Sequence, residues 1–302
     1  MAASPEQLER ARTLLPATVS IVELTTDDAW MRDIGPSFVI GGRRERRGVD
    51  WIFNAWGGDY DGLYAPWDRD DAAAATILEH EGAARYRAPF VMEGGSIHVD
   101  GEGTVLTTEE CLQSPGRNPA MSREQIERGL KDYVGAEKVL WLGAGVFEDE
   151  TTGHVDNLAC FTQPGVVALT WTDDPADPQH AISADAEQRL LKMTDARGRR
   201  LEVHRIHQPG PLELTAEEAA GIATAAGSKP RRAGDRLGAS YVNFYIANGR
   251  VVFPLLDPRR DEAAAAAIAQ LFPRREVVGV QTREILLGGG NVHCITQQVP
   301  AA

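Results

Sequence analysis

The sequence predicts a mixed α/β fold in which five similar units close into a ring. Three observations predict it. A tight turn followed by a short apolar strand carrying a polar residue recurs, most clearly as Gly94-Gly95-Ser96-Ile97-His98 and Gly289-Gly290-Asn291-Val292-His293. Looser copies read Gly153-His154-Val155-Asp156-Asn157, Ala239-Ser240-Tyr241-Val242-Asn243 and Arg32-Asp33-Ile34-Gly35-Pro36. Their spacing of about 60 residues is a period that marks repeated supersecondary units. The second observation is the order between these marks: strand, strand, helix, strand. The third is that no such unit can bury its apolar face alone, whereas a ring of them can.

The elements follow in order. Gln7–Leu15 reads as a helix and Thr18–Leu24 as a strand. Arg43–Arg47 is a solvated hairpin tip, and Asp68–Asp71 supplies the acidic first turn of a helix. Pro89–Met92 is an apolar strand ending at Glu93, and Val105–Thr108 is another. Ser122-Arg123-Glu124-Gln125 resembles a capping start for a helix reaching about Tyr133, with Lys138–Leu142 as the strand after it. Leu201–His207 is strand-like. Tyr241–Ile246, the Asn248-Gly249 turn and Val251–Leu255 form a hairpin, followed by an Ala-rich helix over Asp261–Leu271 and a strand over Glu276–Val280. The fifth unit begins with Val292–Gln298, so its helix and third strand must come from the N-terminus. No segment is then left for its second strand, and this blade is expected to be incomplete, in a single catalytic domain spanning 1–302.

Composition narrows the function. The net charge of −13 disfavours a nucleic-acid partner. Three cysteines cannot make a disulfide framework. No run approaches 18 apolar residues and the N-terminus lacks a signal layout, so no membrane role and a cytoplasmic location are expected.

Four clusters carry chemistry. Trp30-Met31-Arg32-Asp33 sets a carboxylate beside a turn, and Glu93 ends a strand where glycines allow close approach. His154 and Asp156, two apart, are expected on one face of a strand. Cys294 follows the triplet Gly288-Gly289-Gly290. In a ring these strand starts converge on the axis. Carboxylates suit a planar guanidinium, a thiolate can attack its carbon, and a histidine can protonate departing ammonia and then activate water. By alternation His293 points away from Cys294 and packs behind it. Cys111 and Cys160 read as core residues in apolar strands. No Cys/His set has zinc spacing, and this hydrolysis needs neither metal nor cofactor.

These motifs resemble the agmatine deiminase / bacterial peptidylarginine deiminase family of guanidino-group-modifying enzymes, over about Glu23 to Gln298 and including Arg117-Asn118-Pro119 and Ser240-Tyr241-Val242-Asn243-Phe244-Tyr245. The resemblance implies the pentein fold, a five-bladed β/α propeller. It implies Cys294 as nucleophile, His154 as general acid/base paired with Glu93, Asp33 and Asp156 as the carboxylates gripping the guanidinium, and Trp30 as an aromatic wall. It implies agmatine as the small cationic substrate, N-carbamoylputrescine and ammonia as products feeding putrescine synthesis, and a homo-oligomer. Thr152 stands where many relatives carry Asp or Asn. Two alternatives stay open: deimination of arginine residues in peptides, and a truncated, catalytically silent propeller acting as a binding module.

Overall fold

The computed structural model describes residues 1–223 and 228–301. Among them five small sheets form. Four are three-stranded: β3 (Ser37–Ile40), β4 (Arg46–Ile52) and β5 (Ala84–Val91); β6 (Ile97–Val99), β7 (Thr104–Thr108) and β8 (Lys138–Leu142); β9 (Ala159–Gln163), β10 (Val166–Trp171) and β11 (Glu202–His207); β12 (Tyr245–Ala247), β13 (Arg250–Leu255) and β14 (Glu276–Gln281). In each, the second strand lies in the middle, antiparallel to the first and parallel to the third. The antiparallel step needs only a tight turn. The parallel step needs a crossover, and a helix supplies it every time: Asp68–His80, Arg123–Val134, Pro178–Lys192 and Asp261–Leu271.

Local sequence explains these helices. Ser122 accepts the N–H of Gln125 while Gln125 answers to the backbone of Ser122, a complete capping box, and Asp177 caps Gln179 ahead of Pro178. The acidic first turn of Asp68–His80 complements the helix dipole.

The apolar cores lie between neighbouring sheets. Trp51 and Phe90 pack against Leu112 and Trp141; Leu106 and Leu142 against Phe161 and Leu169; Ala168 and Ile206 against Tyr241 and Phe253. A fourth cluster joins Leu24 to Trp30, Phe53, Trp56 and Cys294. Two further joints bridge the C-terminal segment. The His293 N–H is donated to the Asn243 side chain at 3.0 Å, and the Arg32 N–H to the Cys294 carbonyl at 2.9 Å. Every blade thus leans on the next, and the strand starts gather in the middle.

The fifth unit differs from expectation. Its second strand exists: β1 (Ala2–Ala3) pairs in parallel with β2 (Val22–Glu23), repeating the second-to-third relation of the other sheets. The helix between them is Leu8–Leu14. Instead, Val292–Gln298 forms no strand. The Thr296 hydroxyl bonds the carbonyls of Val292 and His293 at 3.1 and 2.9 Å, the backbone turns on itself, and Gln297 and Gln298 reach to Arg32. The blade is incomplete at its first strand, not its second.

Candidate active site

Three short turns place the candidate residues, and at His154 the turn stands where a strand was expected. Val155–Leu158 is one helical turn with His154 at its N-cap, so His154 and Asp156 converge by a turn and not by strand alternation. Gly94–Ser96 is a single 3-10 turn after β5, which swings the Glu93 carboxylate inward. Asp33 sits in a third short turn, Met31–Ile34. Such turns bend the chain sharply enough to present three carboxylates and an imidazole to one point.

Glu93, His154, Asp33, Asp156 and Cys294 are all buried. His154 Nε2 is 3.6 Å from Glu93 Oε2, and its Nδ1 is 3.9 Å from Asp33 Oδ2. Asp33 accepts the Gly95 N–H at 2.9 Å and the Trp56 indole N–H at 3.0 Å. Asp156 Oδ2 is 2.7 Å from His293 Nδ1 and 3.6 Å from Cys294 Sγ. Asn243 Nδ2 donates to Cys294 Sγ at 3.2 Å. Gly95 is required by close approach: a Cβ there would lie 2.6 Å from His154 Nδ1, 2.8 Å from Asp33 Oδ1 and 3.1 Å from Asp156 Oδ2. At Gly290 a Cβ would strike the Trp30 ring at 2.5 Å, so the ring packs directly against the glycine run beside Cys294.

The electrostatics follow from burial and charge. Burial raises Asp33 to about 6, and the neighbouring Asp156 and Glu93 charges oppose the relief that His154 offers. For Glu93, burial is the largest influence and works upward, but the Arg117 guanidinium at 2.7 Å and His154 together outweigh it and hold the carboxyl below its usual range. For Asp156, burial is likewise overcome, here by His293. Burial would lower His154; the Asp33 charge and the contacts with Cys111 and Glu93 prevail and hold it well above an ordinary histidine. The Cys294 thiol is pushed well up by burial and then by Asp156 and Asp33.

What remains unpaired is informative. Glu93 Oε2, both ring nitrogens of His154 and Asp156 Oδ1 are buried without a hydrogen-bond partner. Buried polar atoms are normally satisfied, so four such atoms running from Glu93 through His154 to Asp156 describe the outline of a polar ligand. A narrow cleft lined by Trp30, Asp33, Trp56, Leu63, Glu150 and Cys294 leads to it.

All six sequence candidates are therefore brought together; His293 was expected to point away from Cys294 by strand alternation, but no strand forms there, and its ring meets the same Asp156 Oδ2 that faces the thiol. Cys111 is buried, but in a one-turn helix, Glu109–Leu112, and not in a strand. Three contributors were missed: Asn243 beside the thiol, Trp56 on Asp33, and Arg117, which holds Glu93 and also donates to the carbonyls of Trp56 and Thr151. A signal for Asn243 existed, because it fills the repeat position held by His293 in the last copy.

Five β/α sheets around a buried cysteine, histidine and carboxylates define a pentein-fold hydrolase acting on carbon–nitrogen bonds of a guanidino group. The chain belongs to the Porphyromonas-type peptidyl-arginine deiminase family, whose sequence model matches residues 1–300. It is 57% identical over 299 residues to a Listeria monocytogenes protein named "Putative agmatine deiminase 1", covering 99% of this chain and 82% of that one. The solved agmatine deiminase of Enterococcus faecalis superposes with a TM-score of 0.95 at 50% identity, over 99% of this chain and 82% of that chain. The agmatine deiminase of C. jejuni superposes at 0.76 with 25% identity, over 97% and 79%. Among the described residues no helix is long and apolar enough to cross a membrane.

Proposed function

We propose that this chain hydrolyses agmatine to N-carbamoylputrescine and ammonia, within putrescine synthesis. The observation that carries the reading is the run of unpartnered buried carboxylate and imidazole atoms from Glu93 through His154 to Asp156, beside Asp33 and Cys294. A guanidinium offers N–H donors in one plane and a positive charge, and Asp156 Oδ1, Asp33 and Glu93 Oε2 would receive them. The relatives' names support a substrate with a cation at both ends.

The residues take the following roles. The guanidinium neutralises Asp33 and Asp156, the groups that raise the Cys294 thiol, so thiolate forms when substrate is bound. Asn243 donates to the sulfur and holds its direction. The thiolate attacks the guanidinium carbon, forming an S–C bond. The His154 imidazolium, stabilised by Asp33 and Glu93, gives its proton to the departing nitrogen, and the C–N bond breaks with release of ammonia. Neutral His154 then takes one proton from water, which attacks the amidino-thioether carbon; the S–C bond breaks, the hydroxyl's remaining proton passes to the sulfur, and the ureido product and the thiol are left. Trp30 walls the cleft and limits the tilt of the guanidinium plane.

The test is ammonia release from agmatine, compared with an arginine-containing peptide, by this chain and by Cys294→Ala. The expected result is turnover of agmatine that Cys294→Ala loses. Full activity in Cys294→Ala would sink the covalent route. The family's peptidyl-arginine name favours the second reading, and turnover of the peptide alone would select it. A sharply folded chain silent on every guanidine would select a binding module. A cytoplasmic location and a homo-oligomer belong to the same proposal.

A further inference from the structure

Among the described residues, one set of metal-ligating side chains converges. The Cys111 thiol, a Glu93 carboxylate oxygen and a His154 ring nitrogen lie within 4.8 Å of one another, and all three residues are fully buried. They are spread along the chain, so no local Cys/His spacing announces them. Cys111 is aimed there by its short helix, whose N-cap Thr108 accepts the Cys111 N–H at 3.2 Å. In the reaction above Cys111 transfers no atom; it only touches His154.

The geometry suits a cation. His154 Nε2 and Glu93 Oε2 have no hydrogen-bond partner and stand 3.6 Å apart. That is long for a hydrogen bond. It is close to the edge of a zinc tetrahedron, where bonds of about 2.1 Å separate two donors by roughly 3.4 Å. Arg117 occupies Glu93 Oε1, so the carboxylate presents Oε2 alone. Carboxylate and thiolate together carry the two negative charges that a divalent ion requires. A soft thiolate with an imidazole selects zinc-like ions over magnesium or calcium.

We propose that Glu93, Cys111 and His154 form an inhibitory site for a thiophilic divalent cation such as Zn²⁺. The ion enters by the substrate cleft and displaces the protons on Cys111 and His154. It then holds both the imidazole and the free oxygen of Glu93. A guanidinium would use the same oxygen, so substrate and ion exclude each other.

Two measurements test this, and only the second rests on the proposed function. Co²⁺ is titrated into Cys294→Ala, which lacks the competing thiol. A sulfur-to-cobalt charge-transfer band with tetrahedral visible bands is expected, and its loss when Cys111→Ala or Cys111→Ser is added, with thermal unfolding showing both variants folded. No band in Cys294→Ala, or a band that survives loss of Cys111, overturns the proposal. In the second, Zn²⁺ should inhibit guanidine hydrolysis competitively and reversibly with chelator. Since even outer partners of a metal shift affinity 10–100-fold, Cys111→Ala should raise the inhibitory concentration by about 100-fold, read against that variant's own uninhibited rate. Equal inhibition of Cys111→Ala and the parent chain would place the ion on Cys294 and overturn the proposal.

Discussion

At Cys294 the free protein holds a thiol where the proposed chemistry needs a thiolate. Burial and the charges of Asp156 and Asp33 push its pKa well above the ordinary 9.0, so the thiolate fraction is small at neutral pH and grows as pH rises. Alkylation of Cys294 by iodoacetamide, followed by mass spectrometry, should therefore be slow at pH 7 and still rising through pH 9. A plateau near pH 7 would show a pre-formed ion pair. A bound guanidinium should reverse the sign of the local field, so turnover should extend to pH values where free-enzyme alkylation is already slow. His154 supports that range, because its raised pKa keeps the imidazolium available above ordinary histidine titration. Cysteine, histidine and three carboxylates near recurring turns were legible in the residues. Trp56 and Arg117 were not, and Asn243 only as a repeat position, because an amide, an indole or a guanidinium in a repeat or loop has many structural uses, and only contact distances select one.

At the scale of the element, short turns position the site, and two substitutions probe them. Gly95→Ala would drive a methyl against His154 Nδ1 at 2.6 Å and Asp33 Oδ1 at 2.8 Å. Misplacement on the order of 1 Å costs about 100-fold in rate. We expect kcat/KM to fall by about that factor while cooperative unfolding persists; a rate within twofold of the parent would mean the turn relaxes freely. Thr152 precedes Gly153-His154 with φ +60, a conformation β-branched residues resist and Asn tolerates. Its hydroxyl reaches only the Trp56 carbonyl at 3.5 Å. Thr152→Asn should therefore stabilise the chain by about 1 kcal/mol, read by denaturant unfolding. An unchanged midpoint would show that this backbone carries no strain. The pairing of His154 with Asp156 was expected for the wrong local reason: strand alternation was to align them, whereas His154 caps a one-turn helix from non-helical backbone and Asp156 lies in its first turn.

Across the whole molecule, the site exists only where blades meet. Arg117 ties three loops at that junction through Glu93, Trp56 and Thr151, and its guanidinium is fully buried. Removing one partner of a buried ion pair costs about 3–5 kcal/mol. Arg117→Ala should lower stability by that amount and also lower kcat, since Glu93 loses the charge that keeps it ionised beside His154. Arg117→Lys should recover little of either, because an ammonium cannot meet three fixed acceptors in a fork. Full stability of Arg117→Ala in urea would remove it from this role.

The residues by themselves determined the repeat, the strand–strand–helix–strand order, the capped helices and the identity of the thiol, imidazole and carboxylates, because periodicity, caps and glycine turns are local properties written within a few residues. The tertiary structure decided the rest. It placed the fifth blade's second strand at Ala2–Ala3, a pairing of two residues too short to carry a pattern. It turned Val292–Gln298 away from strand by hydrogen bonds to Thr296 and Arg32. It brought Cys111 to Glu93 and His154, and Asn243 to Cys294, across separations that only packing spans. Distance and burial, which set every charge in the site, arise only when the blades close on one another.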